Sequence, residues 1–382
     1  MRVYLDHNAT TPLRDEVVEA MTRVMREHHG NPSSVHEEGR AARAAVDAAR
    51  ASVASLLGVS PSEVVFTGGA TEANNTVLLG LLPSLSEGRR HLVTTSVEHP
   101  SIEAPAEVLE REGWRVTRLG VDSDGLVDPA ELAEAIQPDT ALVSIIWANN
   151  ETGVLQPMEQ LVELARDRGV LVHADATQAV GKVPVDLETL PLDLLSLSAH
   201  KFNGPKGVGC LIARRGLAFD PIVHGGPQEQ RRRGGTENVV GLAGLGAACD
   251  LAARELPERM SRYTVLRDRL WEGIVSKIPR VRRNGSDARV LPNTLNLEFE
   301  GAAGELLLQA LDIEGIALSS GAACHSGSVE PSSVLVAMGC STQAARGSLR
   351  FSIGHGNDES QIDRLLSILP DLVERARLAV DA

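Results

Sequence analysis

The sequence has few aromatic residues and few cysteines for its length. Aromatic residues make up 3% of the 382 residues, so the core must be built mainly from Leu, Val, Ile and Ala. The four cysteines, Cys210, Cys249, Cys324 and Cys340, are far apart, and no two have the CxxC spacing of a zinc site. We therefore expect neither a disulfide framework nor a bound metal.

Long hydrophobic runs and excess positive charge are also missing. The least polar long window, residues 239–253, contains three glycines and Asp250, and it is shorter than the roughly 20 apolar residues that a membrane span needs. The first residues, MRVYLDHNATTP, lack the apolar region of a signal peptide. A formal net charge of −14 disfavours binding to a phosphate backbone. These absences predict a cytoplasmic protein that binds neither membranes nor nucleic acid.

Strand-like runs alternate with helical patterns over roughly the first 250 residues. This alternation is typical of βαβ units and predicts an α/β fold with a largely parallel sheet covered by helices on both faces. Helices are also expected at residues 15–25 and 37–58, and residues 239–253 read as a buried helix. The predicted strands are EVVF, HLVTTS, RVTRL, ALVSIIW, GVLVHA, LDLLSLS and GVGCLIA.

The pattern changes after about residue 255, where strands and helices no longer alternate regularly. A helix is predicted at residues 257–278, and the strand PNTLNLEFE, the helix GELLLQALD and the strand GSLRFSIG follow it. This mixture is typical of a smaller α+β domain. We predict a large domain at residues 15–255 and a small domain formed by residues 1–14 and 256–382.

Unusual polar residues follow several predicted strands, where ligands collect in open parallel sheets. TGGATEANN combines a glycine turn with Thr71 at a helix start, which fits a phosphate cradle but lacks the sequence of a P-loop. SVEHPS places His99 at a strand end, where imidazole can stack on a flat ring or move protons. HADATQAVGK places Asp175 at a buried strand end, where a carboxylate requires a cationic partner. SLSAHKFNGPKG places Lys201 in a turn.

Each of these residues alone has an ordinary alternative, because Lys201 can be a surface lysine, Asp175 a helix cap and His99 a structural histidine. Their combination is more specific. Pyridoxal phosphate requires a lysine amine for a Schiff base, an acid at its pyridinium nitrogen, a planar group over its ring and donors for its phosphate. Lys201, Asp175, His99 and the turn at Thr71 supply these four groups, so the sequence predicts a pyridoxal phosphate site.

Motifs along nearly the whole chain occur in one order: YLDHNATTP, GNPSS, FTGGATEANN, VEHPS, NNETG, HADATQAVGK, SAHKFNGPKG, HGGPQEQRRRGGT, LPNTLN, SSGAACHSG and LRFSIG. With these motifs the chain resembles the class V aminotransferase-like enzymes of pyridoxal phosphate fold type I, and among them the cysteine desulfurases of the NifS and IscS kind. The resemblance implies a mainly parallel seven-stranded sheet with helices on both faces plus a smaller α+β domain, in a homodimer.

The resemblance also implies roles for individual residues. Lys201 would form the Schiff base, Asp175 would pair with the pyridinium nitrogen, and His99 would stack on the ring and assist protonation. Gln178 would bond the phenolic oxygen. Asn150 and Arg350 would hold the substrate carboxylate, with Asn150 also near the cofactor. Arg350 lies on a predicted strand, where a surface ion pair is an equal alternative. The phosphate would be bound by Ala70, Thr71, Ser198 and His200, together with Thr236 from the partner subunit.

Cys324 lies in LSSGAACHSGS, among residues too small to bury it. The resemblance implies that Cys324 attacks the sulfur of L-cysteine, which leaves L-alanine and a persulfide that passes to an acceptor, such as an iron–sulfur scaffold or a thiolation enzyme. Cys210 and Cys249 lie in apolar patterns and are expected to be buried. Cys340 is undecided.

Two alternatives remain from the sequence. Another pyridoxal phosphate enzyme of the same fold, such as a selenocysteine lyase or a transaminase, would make Cys324 subordinate. A non-catalytic sulfur carrier would retain the fold without the cofactor, although the presence of Lys201, Asp175 and His99 together argues against it.

Overall fold

The computed structural model describes residues 2–85, 88–217, 220–320 and 331–381. Its strands form three sheets. In chain order the strands are β1 (Val3–Tyr4), β2 (Val64–Thr67), β3 (His91–Thr95), β4 (Arg115–Leu119), β5 (Thr140–Ile146), β6 (Leu171–Asp175), β7 (Leu194–Ser198), β8 (Gly209–Ala213), β9 (Val281–Arg283), β10 (Thr294–Phe299), β11 (Ile316–Ala317), β12 (Ser319–Ser320) and β13 (Ser348–Ser352).

The α-helices cover the sheets, and a π-helical stretch, Thr76–Leu81, joins two of them. Within the described residues, no helix is both long enough and apolar enough to cross a membrane. The α-helices are α1 (Asp15–Glu27), α2 (Glu37–Leu57), α3 (Ala70–Asn75), α4 (Leu82–Leu85), α5 (Pro100–Arg111), α6 (Pro129–Ala135), α7 (Met158–Asp167), α8 (Val239–Lys277), α9 (Gly304–Ile313), α10 (Ser333–Ala337), α11 (Thr342–Arg346) and α12 (Glu359–Asp381).

The largest sheet has seven strands in the order β2-β8-β7-β6-β5-β3-β4. Every run predicted as a strand in the first 213 residues contributes to it, which confirms the predicted α/β fold with a mainly parallel sheet. Strand β8 is antiparallel to both of its neighbours. Only residues 199–208 separate β7 from β8, and a parallel pair requires a longer crossover connection.

Apolar side chains fill both faces of this sheet. Val143 and Leu142 are adjacent in β5 and belong to different clusters, because successive strand residues point to opposite faces. Helices α2, α7 and α8 contribute to one cluster, with Val46, Val162 and Leu242. Helix α5 contributes to the other. Aliphatic residues dominate both, as the shortage of aromatic residues requires.

A four-stranded antiparallel sheet, β12-β13-β10-β9, forms a second region with its own apolar cluster. The N-terminal strand β1 pairs in parallel with β11 beside it. Helix α8 joins the two regions as one helix that contains Pro257, whereas the sequence indicated two helices. A proline removes one helical hydrogen bond but is tolerated where packing holds the flanking turns. The predicted domain boundary at residue 255 lies inside this helix, and the division into domains stays a prediction.

Candidate functional site

A cleft of about 1060 Å³ lies at the carboxyl ends of the parallel strands, where the large sheet meets the four-stranded sheet. Strands β6 and β7 end in it with Asp175 and Ser198, and β13 contributes Arg350. Most of the residues predicted from the sequence therefore share one site. Those that line the cleft are Ala70, Thr71, His99, Asn150, Asp175, Gln178, Ser198, His200, Lys201 and Arg350.

Lys201 ends a short 3₁₀ turn, Ala199–Lys201, directly after β7. Its Nζ donates hydrogen bonds to the backbone carbonyls of Asn8 at 2.8 Å and Ala9 at 2.9 Å. Burial, followed by the charge of the nearby Arg350 guanidinium, lowers the pKa of Lys201 to about 8. About a tenth of this amine is therefore unprotonated at pH 7, which suits a nucleophile or a base.

Asp175 is the last residue of β6 and is only 3% exposed. Its Oδ2 accepts from Asn74 Nδ2 at 2.8 Å, and its Oδ1 accepts from the Thr177 backbone N–H at 3.0 Å. Both recorded partners are neutral, and Asp175 makes no salt bridge within the described residues. A buried carboxylate with neutral partners is suited to a cation that enters the cleft.

His99 precedes α5 and caps it, because its Nδ1 accepts from the Ser101 backbone N–H at 3.1 Å. The Ser101 hydroxyl lies 2.8 Å from the same Nδ1 and also accepts from Asn74 Nδ2. Since Nδ1 acts as an acceptor, neutral His99 carries its proton on Nε2. His99 is exposed to the cleft. The surrounding protein still removes part of the hydration of its ring, and this desolvation lowers its pKa. Asn74 and Ser101 were not identified from the sequence.

The glycine turn after β2 leads into α3, which begins at Ala70. Gly69 has a φ of 151°, a backbone conformation that side chains disfavour. The first N–H groups of a helix have no partners within the helix, so they can bind an anion. Ser198 and His200 lie beside this turn in the cleft. Burial, followed by the charge of Lys201, lowers the pKa of His200 to about 4, so this ring is neutral.

Arg350 lies in the middle of β13 and is 6% exposed. Its guanidinium donates to Asp6 Oδ1 at 2.7 Å and to the backbone carbonyl of Asn150 at 3.0 Å. The sequence left a surface ion pair as the alternative. The structure shows an ion pair in which Arg350 is buried and Asp6 is partly exposed, and the buried Nε of Arg350 has no partner among the described residues.

Asn8 connects the two sides of the cleft. Its backbone carbonyl accepts from Lys201 and from Gln178 Nε2, the latter at 2.9 Å. Its side-chain Nδ2 donates to the backbone carbonyl of Asn150 at 3.2 Å and to Thr294 Oγ1 at 2.9 Å. The sequence placed Asn8 in the motif YLDHNATTP without a role, because its contacts lie far away along the chain.

Two buried carboxyl groups in the cleft were also not identified. Glu98 accepts from Thr95 Oγ1 at 2.7 Å and from the Ile146 backbone N–H at 2.8 Å, and burial raises its pKa to about 8. Glu151 accepts from the Ser332 hydroxyl, and burial raises its pKa to about 7. Each stands in a motif quoted above, VEHPS or NNETG, next to a residue that the sequence did single out.

Thr236 and Cys324 are the two remaining residues of the predicted site. Thr236 is exposed and lines a separate pocket of about 280 Å³ together with Arg233 and Glu237. Cys324 lies outside the described residues, although the chain on either side, Ser319–Ser320 and residues 331–333, lines the cleft.

The other three cysteines are described. Cys210 and Cys249 are fully buried, as predicted, and burial raises the pKa of both thiols. Cys340 is half-buried, and burial also raises its pKa. None of these three lines the cleft.

The groups in the cleft fit pyridoxal phosphate. The cofactor requires an amine of lowered pKa, a buried carboxylate free to meet a pyridinium and a site for a phosphate. Lys201, Asp175 and the helix start at Ala70 offer these three. Gln178 and the ring of His99 line the same cleft and complete a site for a planar cofactor with a phenolic oxygen.

The fold and this set of groups define a pyridoxal phosphate-dependent enzyme of fold type I. The model of the aminotransferase class-V family matches residues 3–365. The chain belongs to this family, which confirms the family predicted from the motifs.

Particular relatives extend this result. The chain is 45% identical over 375 residues to "Cysteine desulfurase IscS" from Methanosarcina thermophila, covering 98% of this chain and 93% of that protein. A solved structure named "NifS-like protein" aligns with a TM-score of 0.93 at 38% identity, covering 98% of this chain and 100% of that one. A structure described as "SspA in complex with cysteine" aligns with a TM-score of 0.82 at 35% identity, covering 92% and 99%.

Proposed function

We propose that this protein is a pyridoxal phosphate-dependent cysteine desulfurase that converts L-cysteine to L-alanine and transfers the sulfur to Cys324. One observation carries the proposal: the residues suited to the cofactor share a cleft with Arg350 and with both flanks of the segment that contains Cys324. Relatives named cysteine desulfurase, similar over nearly the full chain, support this activity.

Pyridoxal phosphate, when bound, supplies an electron sink that makes the Cα–H of an amino acid acidic. Lys201 would hold the cofactor covalently and, once released, would take the proton from Cα. Its lowered pKa, about 8, leaves part of the amine ready to accept this proton. In the structure, hydrogen bonds to the carbonyls of Asn8 and Ala9 hold this amine at the cleft.

Three further residues would keep the cofactor in place and in the required protonation state. Asp175 would stabilise a proton on the pyridine nitrogen, since its present partners are neutral donors. Gln178 would donate an N–H to the phenolic oxygen. His99, with its Nδ1 engaged by Ser101, would stack on the ring and offer an Nε2–H to the cleft.

Arg350 would bind the carboxylate of the amino acid substrate. A guanidinium can form two parallel hydrogen bonds to a carboxylate, which fixes the orientation of the substrate. The contact with the carbonyl of Asn150 holds the guanidinium at the cleft. Substrate orientation is thus assigned to the four-stranded sheet, and cofactor binding to the seven-stranded sheet.

The thiolate of Cys324 would attack the substrate sulfur. An S–S bond forms while the Cβ–S bond of the substrate breaks, and the electron pair left on the substrate side is protonated to give L-alanine. The enzyme keeps a persulfide, so that one cysteine and one thiol become one alanine and one persulfide with no external oxidant. The persulfide would then pass to an acceptor, such as an iron–sulfur scaffold or a thiolation enzyme.

The active form is proposed to be a homodimer in which Thr236 of the partner subunit reaches the phosphate. The position of Thr236 supports this, because it is exposed and lies outside the cleft of its own chain. An isologous dimer would complete two sites by symmetry.

Product analysis tests the proposed function. The purified protein would be incubated with ³⁵S-labelled L-cysteine, and alanine and protein-bound persulfide would be measured for the parent, Cys324→Ala and the control Cys340→Ala. We expect one alanine per persulfide in the parent and in the control, and no persulfide in Cys324→Ala. Amino-group transfer to a 2-oxo acid without sulfur release would contradict the proposal.

Comparison with L-selenocysteine separates the selenocysteine lyase alternative. A desulfurase is expected to require Cys324 for turnover of L-cysteine. Turnover of selenocysteine alone, equally fast in Cys324→Ala, would assign the site to the lyase.

A further inference from the structure

Lys182 is a buried lysine that contacts Gln178, a residue that lines the cleft, and nothing above gives it a role. It follows Gln178 by four residues and is 4% exposed. Its Nζ donates to Asn8 Oδ1 at 2.9 Å and, at shorter range, to Gln178 Oε1. Both recorded acceptors are neutral amide oxygens. Burying an amine that makes no salt bridge among the described residues costs free energy, so the presence of Lys182 calls for a function.

The contact with Lys182 determines which atom of Gln178 faces the cleft. An ammonium group can only donate, so it must meet the carbonyl oxygen of the Gln178 amide and not its nitrogen. The Gln178 nitrogen therefore points elsewhere. One of its two N–H groups is used by the backbone carbonyl of Asn8 at 2.9 Å, and the other is left for the cleft that Gln178 lines.

The same amine orients the Asn8 side chain. Because Lys182 occupies Asn8 Oδ1, the Asn8 nitrogen must face the other side, where it donates to Asn150 and Thr294. Asn293 Nδ2 also donates to Asn8 Oδ1 at 3.2 Å, which reinforces this orientation. Lys182 thereby holds the oxygen ends of both amides, while backbone carbonyls, which can only accept, hold their nitrogen ends.

We propose that Lys182 is a positioning residue that makes Gln178 present an N–H donor, and not a carbonyl oxygen, to the phenolic oxygen of bound pyridoxal phosphate. This inference rests on the proposed function. Without Lys182, the Gln178 amide can rotate and place its carbonyl oxygen against the negatively charged phenolic oxygen, which is repulsive.

The orientation holds in either charge state of Lys182. Burial, together with the positive charges of Lys201 and Arg350, lowers the pKa of Lys182 well below its ordinary value. A neutral amine still has two N–H bonds for the two amide oxygens. Its lone pair can accept, but the Gln178 and Asn8 nitrogens already donate to backbone carbonyls, which can only accept. The positioning role therefore requires hydrogen-bond donors and not a positive charge.

The test is a pH titration of the visible absorbance of the bound cofactor. A donor to the phenolic oxygen stabilises its negative charge, most strongly in the less protonated form of the chromophore. Loss of the donor should therefore raise the titration midpoint. Lys182→Met retains the side-chain length but cannot donate, and we expect its midpoint to rise by about one pH unit, the equivalent of one charged hydrogen bond.

A double-mutant cycle shows whether Lys182 acts through Gln178. We expect Gln178→Ala to raise the midpoint to a similar extent, and Lys182→Met combined with Gln178→Ala to raise it no further than Gln178→Ala alone. Lys277→Met, in the last turn of α8 and bonded to Leu366, is the matched control and should titrate like the parent. A parent-like midpoint for Lys182→Met, or shifts that add in the double variant, would overturn the inference.

A second variant covers the case in which Lys182→Met does not fold. Lys182→Gln keeps an N–H donor and fits within the volume of lysine, so its midpoint should stay closer to that of the parent than to that of Gln178→Ala. A midpoint as high as that of Gln178→Ala would contradict the proposal. If the parent binds no cofactor chromophore, the proposed function itself fails, and this outcome is distinct from the others.

Discussion

The two sheets contribute different chemistry to one cleft. The seven-stranded sheet supplies Asp175 and Lys201 at or just after the carboxyl ends of β6 and β7. The four-stranded sheet supplies Arg350 from the middle of β13, where it is paired in register with Asn296 and Ser319. The first set suits a cofactor, and the second suits a substrate carboxylate.

This difference follows from sheet geometry. All the carboxyl ends of parallel strands meet at one edge, so a polar residue after a strand is near other such residues wherever it lies in the chain. A residue in the middle of an antiparallel strand faces one side or the other by alternation, and only packing decides what it meets. If the two sides have separate functions, substitutions on each side should affect different measurements.

The largest effect is expected from Lys201→Ala on the cofactor side. Without its amine the protein can neither hold the cofactor covalently nor take the Cα proton, so we expect kcat for desulfuration to fall at least about 10³-fold. Borohydride reduction followed by mass spectrometry should find no cofactor attached to the chain. Lys277→Ala is the control, and retention of covalent cofactor in Lys201→Ala would remove Lys201 from this role.

Asp175→Asn should have the next largest effect, with a loss in kcat of about 10²-fold, similar to the loss of one preorganised electrostatic contact. The neutral amide keeps the shape but cannot stabilise a proton on the pyridine nitrogen. Steady-state kinetics and the cofactor absorbance spectrum measure this change. Asp167→Asn, at the exposed end of α7, is the matched control. Unchanged kcat and spectrum would show that Asp175 only caps the turn at Thr177.

Arg350→Gln tests the substrate side. We expect KM for L-cysteine to rise about 10- to 100-fold, the equivalent of losing one charge-assisted hydrogen bond. The amount of bound cofactor should remain that of the parent, because the residues proposed to hold the cofactor belong to the other sheet. Arg2→Gln, which removes an ion pair with Asp312 in which both side chains are exposed, is the control. Loss of cofactor in Arg350→Gln with an unaltered KM would break the proposed division between the two sides.

The smallest effect concerns the pH dependence of stability. Burial raises the pKa of Glu98 from 4.5 to about 8, so between these pH values the folded protein keeps a proton that the unfolded chain releases. The free energy of unfolding should therefore fall as the pH rises through this window. Glu98→Gln cannot titrate and should flatten this fall in urea unfolding measured from about pH 5 to about pH 8.

Glu151→Gln should flatten the fall in the free energy of unfolding over a narrower pH range, because burial raises the pKa of Glu151 from 4.5 only to about 7. The exposed Glu107→Gln is the control for both substitutions. A fall in stability with pH that is as steep in Glu98→Gln as in the parent would show that Glu98 does not titrate in this window.

Much of the fold was predictable because its signals are local. Short β-rich runs separated by helical patterns marked the strands of the large sheet, and Gly169, just after α7, has a φ of 67°, which is typical of a glycine that follows a helix. The pattern of β8 is the same in both directions, and only its short connection to β7 indicates that it runs antiparallel. The continuity of α8 through Pro257 was not predictable, because whether a helix continues through a proline depends on packing from elsewhere in the chain.

The cofactor side of the site was predictable for a similar reason. Lys201, Asp175 and His99 each stand out locally. Each is a polar residue at or just after a strand end, where the apolar strand pattern does not explain it. Arg350 was ambiguous in the sequence, since strand alternation fits a surface ion pair equally well. The roles of Thr236 and Cys324 remain predictions. The role of Thr236 depends on a second subunit, and Cys324 lies outside the described residues.

The sequence by itself determined the family, the α/β architecture and the residue types available for pyridoxal phosphate chemistry, because these depend on local pattern and on motifs. Only the tertiary structure decided how the polar groups are oriented. Strands β2 to β6 lie between Asn8 and Lys182 in the sequence. The hydrogen bonds from Lys182 to Asn8 and to Gln178 nevertheless help to determine which amide atoms face the cleft. A side-chain amide has an acceptor at one end and a donor at the other, and its orientation follows from the neighbours that packing brings to it.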